Sequence, residues 1–389
     1  MKLAVIFTGG TIGSQLQEDG YISSSKETNY YLLDQYKKQS GNDVSFEIHA
    51  PYRILSENLQ AEHLLLLIRE VNEILRKNHG SLQFSKKNSP EISSMDSVSE
   101  KSNSSNNHNI NRLQGIIITH GTDSLAYTAA ILQYVFADSP IPIVLVSSDY
   151  VLTDMRANGF LNFSYAIEFI RQIRIAAKEN QIGNTHSAPQ SDLPYSSSFG
   201  NGVFVSYCNR SGMPMIHRGT RLQNVITYSA DVFSILDTWY AKFENDRFLL
   251  NVNYKIQNEN RNSLFCNPTL LADTGSIVFL KAVPGLTYPT LTNRHKAVLF
   301  EGYHSGTIPV DERLKAFTAA ADALQIPIFL TGLTESADHY ETVKQYLQLG
   351  IRPLVNRSTI SQYCKLWLGI SNNIDLIRLM NTSAAEDWC

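Results

Sequence analysis

Two short apolar runs end in glycine- and threonine-bearing turns, and this pairing constrains the fold more than any other feature of the chain. The first run, Leu3-Ala4-Val5-Ile6-Phe7, leads into Thr8-Gly9-Gly10-Thr11-Ile12-Gly13. The second, Gly115-Ile116-Ile117-Ile118-Thr119, leads into His120-Gly121-Thr122-Asp123-Ser124. Continuous apolar runs of this length read as strands covered on both faces, the habit of a parallel sheet between helices. In open sheets of that type ligands sit outside the carboxyl ends of the strands. Two such turns in one unit would bring Thr11 and the Thr122-Asp123 pair together over one pocket.

The rest of the chain alternates in the same way. Residues 45–50, 143–147 and 202–208 read as strands, and 29–38, 61–77, 125–137 and 160–178 as helices. Within 61–77 the apolar residues Leu64, Leu65, Ile68, Val71 and Leu75 recur at helical spacing. A second alternating set begins near Ser276. The expected fold class is therefore α/β, in two units that are each a mainly parallel sheet flanked by helices. The larger unit spans 1–245, a polar linker 246–275, and the smaller unit 276–389. Residues 80–111 are dominated by serine, asparagine and lysine and cannot bury enough apolar surface to offset ordering entropy, so they are expected to form a disordered insertion. The stretch 184–198 is of the same kind.

Composition removes several classes of function. A net charge of -3 gives no basic surface of the sort a nucleic acid needs. No apolar run approaches the roughly 18–20 residues of a membrane helix, so no membrane partner is expected. The four cysteines, Cys208, Cys266, Cys364 and Cys389, have neither metal nor redox spacing. With only five apolar residues before the first glycines, the N-terminus has no signal-peptide core. The expectation is a cytoplasmic protein.

A threonine hydroxyl becomes a nucleophile only when a nearby group takes its proton. Gly9 and Gly10 would let the backbone turn tightly around a small ligand, and Tyr21 could offer a phenolic oxygen to Thr11. The same turn also reads as a plain strand-to-loop connection. Thr122, Asp123 and Ser124 precede a helix, where hydroxyls and carboxylates also serve as caps. His120, at the end of a buried strand, reads as scaffolding.

Taken together, the two turns resemble the bacterial-type L-asparaginase family. Gly20-Tyr21-Ile22, Tyr127-Thr128-Ala129, Ser147-Ser148 and Arg156-Ala157-Asn158-Gly159 follow in the family's order. Gly302-Tyr303-His304-Ser305-Gly306 looks like its strand-end loop in the smaller domain. The likeness is greatest to the cytoplasmic type I branch, where Gly-Tyr-Ile follows the first motif closely. The resemblance implies hydrolysis of the asparagine side-chain amide, with Thr11 as nucleophile and Tyr21 assisting its proton transfer. It implies a second catalytic group containing Thr122 and Asp123, with Asp123 on the substrate ammonium and Ser56 on its carboxylate. A small amino acid is the implied substrate, with no cofactor and no metal, in a homodimer or homotetramer whose neighbouring subunit helps close the site.

One position departs from the family. Its lysine, which follows an Arg-Gly-x-Arg segment, is replaced in Arg218-Gly219-Thr220-Arg221-Leu222-Gln223-Asn224 by Asn224, and 219–231 holds no lysine. Asparagine makes hydrogen bonds but carries no proton charge. Asp149-Tyr150-Val151 stands where the family has Gln-x-Pro, Leu55 replaces a small or acidic residue, and Asn158 replaces an aspartate. These changes keep open an alternative: a diverged, weakly active or inactive homologue that binds an amino acid as a sensor or partner subunit.

Overall fold

The computed structural model describes residues 1–16, 22–24, 26–79, 112–181, 200–223, 228–255, 263–265, 268–269, 271–335 and 341–389. The segments 80–111 and 184–198, read from sequence as disordered, lie outside the described residues.

Both apolar runs form strands. In chain order the first unit contains β1 (Lys2–Phe7), a short antiparallel pair β2 (Ser14–Leu16) and β3 (Ile22–Ser24), α1 (Lys26–Ser40), β4 (Ser45–His49) and α2 (Ala61–His79). It continues with β5 (Ile116–Thr119), α3 (Leu125–Phe136), β6 (Ile143–Val146), α4 (Gly159–Gln181), β7 (Val203–Cys208), β8 (Pro214–Arg218), β9 (Ala241–Glu244) and β10 (Arg247–Leu250). Eight of these strands make one sheet in the order β10-β9-β8-β7-β6-β5-β1-β4. The five from β4 to β7 run parallel, and β8, β9 and β10 are antiparallel, so the sheet is mixed.

The side chains of β1 divide between two cores. Leu3, Val5 and Phe7 pack with α1 and α4, whereas Ala4 and Ile6 pack with α2 and α3. Ile116, Ile117 and Ile118 of β5 have no exposed surface, and burial of each contributes about 1.5–3 kcal/mol. This two-sided burial explains why these strands read as unbroken apolar runs.

The second unit contains β11 (Ile277–Lys281), β12 (Ala297–Glu301), α5 (Glu312–Ala323), β13 (Ile328–Thr331), α6 (Thr342–Gln348), β14 (Ile351–Pro353), α7 (Thr359–Ser371) and α8 (Leu376–Asn381). Its sheet, β11-β12-β13-β14, is parallel throughout. Helix α7 packs on α3, and Ile360, Cys364 and Leu368 join the same core as Ala4 and Ile6. The two sheets thus share apolar packing.

The boundary differs from the sequence reading. The segment taken as a linker from 246 onwards begins with β10, which pairs with β9. The connecting residues Asn245 and Asp246 both have positive φ, 52° and 61°, as a two-residue hairpin of the primed type requires. Phe248 is buried and anchors the strand. Among the described residues no helix is long and apolar enough to cross a membrane.

Candidate active site

The strand order reverses at β1, because the chain leaves it for β4 on one side and returns to β5 on the other. At such a switch point the turns after neighbouring strands diverge and leave a crevice. The turns after β1, β4 and β5 converge there.

The first turn is held from two sides. The Thr8 hydroxyl is buried and donates to the Thr119 carbonyl at the end of β5, 2.6 Å away. The Ile54 amide, beyond β4, donates to the Thr8 carbonyl at 3.1 Å, and the Gly10 amide donates to the Ile54 carbonyl at 2.9 Å. Glycine is required at both central positions. A Cβ on Gly9 would lie 2.2 Å from the Ile54 carbonyl oxygen, and one on Gly10 would lie 2.3 Å from Gly121. Both also have positive φ, at 106° and 73°. Thr11 then opens a single tight turn, Thr11–Gly13, with buried Ile12 as its anchor and its own side chain half-buried.

The second turn meets the first through Gly121. His120, just before it, is fully enclosed, and burial lowers its pKa. Its Nδ1 lies 2.8 Å from the Gly121 carbonyl oxygen, which can only accept, so Nδ1 carries the proton. Nε2 therefore accepts from the Thr128 hydroxyl at 3.0 Å. Both ring nitrogens are committed, and His120 is scaffolding.

Ser56, in the loop after β4, lies against this turn. Its hydroxyl donates to Asp123 Oδ2 at 3.0 Å and accepts from the Asp123 amide at 3.3 Å. The Ser124 hydroxyl donates to the Ser56 carbonyl at 2.7 Å. Ser124 is the N-cap of α3, yet its side chain makes no capping bond and is spent on the Ser56 loop. Asp123 is exposed and Thr122 half-buried. The carboxylate stands at the start of α3, where the helix field favours negative charge.

Of the residues singled out in the sequence, Ser56 and Asp123 are in direct contact, and the turns carrying Thr11 and Thr122 touch through Gly10 and Gly121. Tyr21 and Asn224 lie outside the described residues. Ser56 and Asp123 form one wall of a cleft of about 1140 Å³ between the two sheets, with Lys281, Glu301 and His304 on another wall. Lys281 Nζ and Glu301 Oε1 pair at 3.1 Å. Sequence reasoning missed Lys281, which ends a strand with no motif around it, and Glu301, which directly precedes the Gly302-Tyr303-His304-Ser305-Gly306 loop. Among the described residues no group of three or more histidine, cysteine or acidic side chains could hold a metal ion.

A hydroxyl-bearing turn against a carboxylate held by a serine suits attack on a small polar substrate that carries a positive charge. The family model described as Asparaginase, N-terminal, matches residues 2–83 and 78–253. This chain belongs to the asparaginase family. The L-asparaginase of Thermococcus kodakarensis is 25% identical over 386 residues, covering 97% of this chain and 94% of that protein. Its solved structure matches with a TM-score of 0.67 at 22% identity, covering 100% and 99% of the two chains. L-asparaginase I from Vibrio cholerae matches with a TM-score of 0.66 at 15% identity over the same shares. A glutamyl-tRNA(Gln) amidotransferase component from Methanobrevibacter smithii is 24% identical over 405 residues, covering 100% of this chain and 77% of that protein.

Asp149 and Asn158 face each other in this chain. The Asp149 amide donates to Asn158 Oδ1 at 3.0 Å, and the Asn158 amide donates to Asp149 Oδ1 at 3.1 Å. Asn158 Nδ2 also donates to the Cys208 carbonyl at 2.9 Å. The pair closes the loop between β6 and α4 with a reciprocal bond.

Proposed function

We propose that this protein hydrolyses the side-chain amide of L-asparagine to L-aspartate and ammonia, with Thr11 as the nucleophile. The observation that carries the proposal is the backbone contact of Gly10 with Gly121, which sets the Thr11 turn against the turn bearing Thr122 and Asp123. Ser56 orients Asp123 from the third loop.

The Thr11 oxygen attacks the amide carbon and its proton passes, with Tyr21 assisting, to the departing nitrogen, which leaves as ammonia. Water then cleaves the threonyl ester, releasing aspartate and restoring the hydroxyl. Thr122 belongs to the group that supports the developing oxyanion and the proton transfers. Asp123 pairs with the substrate ammonium, and the Ser56 hydroxyl, turning its single proton from Asp123 to the substrate, joins nearby backbone donors in holding the carboxylate. The resemblance also carries to this chain a cytoplasmic location and a homodimer or homotetramer.

Asn224 favours a second reading, an amino-acid binder with little turnover, because a catalytic lysine's place is taken by a side chain that cannot carry a proton charge. The two readings separate in one experiment. Ammonia release is measured from asparagine, glutamine and other small amides, for the parent protein and Thr11→Val. The hydrolase reading expects release from asparagine in the parent and none in Thr11→Val. Equal release in both would remove Thr11 as nucleophile. Calorimetric binding of asparagine without release would establish the binder.

A further inference from the structure

Residues 384–389 carry two acidic side chains, yet Ala385 and Asp387 have no exposed surface and Glu386 very little. Glu386 Oε1 accepts from Arg218 Nη2 at 3.2 Å, and Oε2 accepts from the Tyr254 hydroxyl. The same hydroxyl accepts from Arg218 Nε at 3.2 Å. The main chain is gripped as well. The Ala385 carbonyl accepts from Thr220 Oγ1 at 2.8 Å, the Glu386 carbonyl from Arg221 Nε at 2.9 Å, and the Trp388 carbonyl from Arg221 Nη2 at 3.0 Å. Arg218 lies over the Phe204 ring at 4.1 Å, and Arg221 over the Tyr254 ring at 4.0 Å.

The other side of the tail is bound to α3 of the first unit and to the second unit. Asp387 Oδ2 accepts from Lys365 Nζ at 2.8 Å and from the Tyr134 hydroxyl at 2.9 Å. The Cys389 carbonyl accepts from Asn356 Nδ2 at 3.1 Å. Next to it the Ser358 hydroxyl donates to the Leu222 carbonyl. The segment 218–222 from the first unit and the segment 356–358 from the second are therefore fastened to one peptide and to each other.

Both fastened segments feed the cleft. Gln223 follows Leu222 and lines it beside Ser56 and Asp123, and Arg357 and Ser358 line it too. Buried ion pairs add little net stability over apolar packing of the same volume, but a broken one is costly, so they hold a single arrangement. We propose that Glu386 is a positioning residue of the site: by gripping Arg218 and, through the backbone, Arg221, it sets where Leu222 and Gln223 enter the cleft wall. The inference rests on the hydrolase reading for its kinetic test.

Three variants of the full chain separate positioning from plain stability. Tyr254→Phe removes one hydroxyl from the grip, and Glu386→Gln removes its charge. Asp387→Asn weakens the tail's hold on α3 and α7 and leaves the bonds to Arg218 and Arg221. Asparagine KM and kcat are measured well below the Tm of each variant. A KM raised about threefold in Tyr254→Phe and about tenfold in Glu386→Gln is expected, with Asp387→Asn lowering Tm and leaving KM within about twofold. Unchanged KM in the first two, or an equal rise in all three, overturns the proposal. If Glu386→Gln does not fold, Tyr254→Phe decides. If the parent releases no ammonia, the hydrolase reading fails on its own, and hydrogen exchange at the amides of 219–223 takes over. Faster exchange there in Glu386→Gln or Tyr254→Phe but not in Asp387→Asn supports positioning, and any other pattern overturns it.

Discussion

Gly10 and Gly121 meet backbone to backbone, so closely that a methyl group on Gly10 would lie 2.3 Å from the Gly121 nitrogen. The contact joins turns that are more than a hundred residues apart in sequence, and it leaves no room for a side chain on either. A Cβ on Gly121 would itself strike the Ser56 hydroxyl oxygen at 2.3 Å. Three loops are thereby locked in one arrangement by two missing side chains.

Gly121→Ala should consequently damage the site more than the fold. Ser56 must move, and with it the hydrogen bond to Asp123. Overpacking of this sort costs about 1–3 kcal/mol, a fall in Tm of roughly 1–4 °C for a chain of this size. Asparagine kcat/KM should drop by about two orders of magnitude. Thermal melts alongside steady-state kinetics check both numbers. A variant with parental kcat/KM would mean that the Ser56 placement is immaterial.

Asp123 and Ser56 should act mainly on binding. Succinamate, which is asparagine without its ammonium, supplies the control. Asp123→Asn removes the partner of the ammonium, so asparagine KM should rise about a hundredfold while succinamate kinetics change little. Ser56→Ala takes away the donor 3.0 Å from Asp123 Oδ2 and should raise KM for both compounds, because the carboxylate is common to them. If Asp123→Asn penalises both compounds equally, the carboxylate is not the ammonium site.

Much of this arrangement is legible in the sequence, and the legible part has a physical boundary. The apolar strands β1, β5 and β6 stand out because helices cover both their faces. Strands β8 to β10 do not, since Arg247 is exposed, Lys242 is half-buried, and the hairpin turn looks like any polar loop. The grip on Glu386 and Asp387 is invisible for a different reason. Charged residues at the end of a chain read as solvated surface, and only the fold brings Arg218, Arg221 and Lys365 to them. The likeness to asparaginases points to Ser56 and Asp123, but nothing in the sequence gives Ser124 its bond to the Ser56 carbonyl.

Stability should fall as the medium is acidified below neutrality, well before the carboxylates titrate. His217, on β8, is fully buried, with Nδ1 2.8 Å from the Ser234 hydroxyl, and burial pushes its pKa from 6.5 down to about 4. Between those values the unfolded chain takes up a proton that the folded one refuses. Unfolding free energy therefore rises with pH across this window, and the loss on going down through it amounts to roughly 3 kcal/mol. Buried His120, also shifted down, adds to the same slope. Denaturant titrations at several values from about pH 4.5 to about pH 7.5 should show the trend, and His217→Gln should flatten it. An unchanged slope in that variant would assign the effect elsewhere.

Asn224 divides the hydrolase from the binder. The resemblance implies a lysine at that place, working with the second threonine and aspartate to support the oxyanion and carry protons. The Arg218-Gly219-Thr220-Arg221 segment that precedes it in sequence is anchored by Ala385 and Glu386. Asparagine turnover in the parent should consequently fall well below the ordinary range of about 1–10³ per second. Binding should suffer less, because the contacts assigned to Ser56 and Asp123 do not involve residue 224. Asn224→Lys should raise kcat about tenfold or more and leave KM within about threefold. Arg221 cannot substitute as a base, since a guanidinium keeps its proton at any ordinary pH. Should the parent turn over rapidly and Asn224→Lys slow it, the proton must travel by another route, and the asparagine would itself be part of the working site.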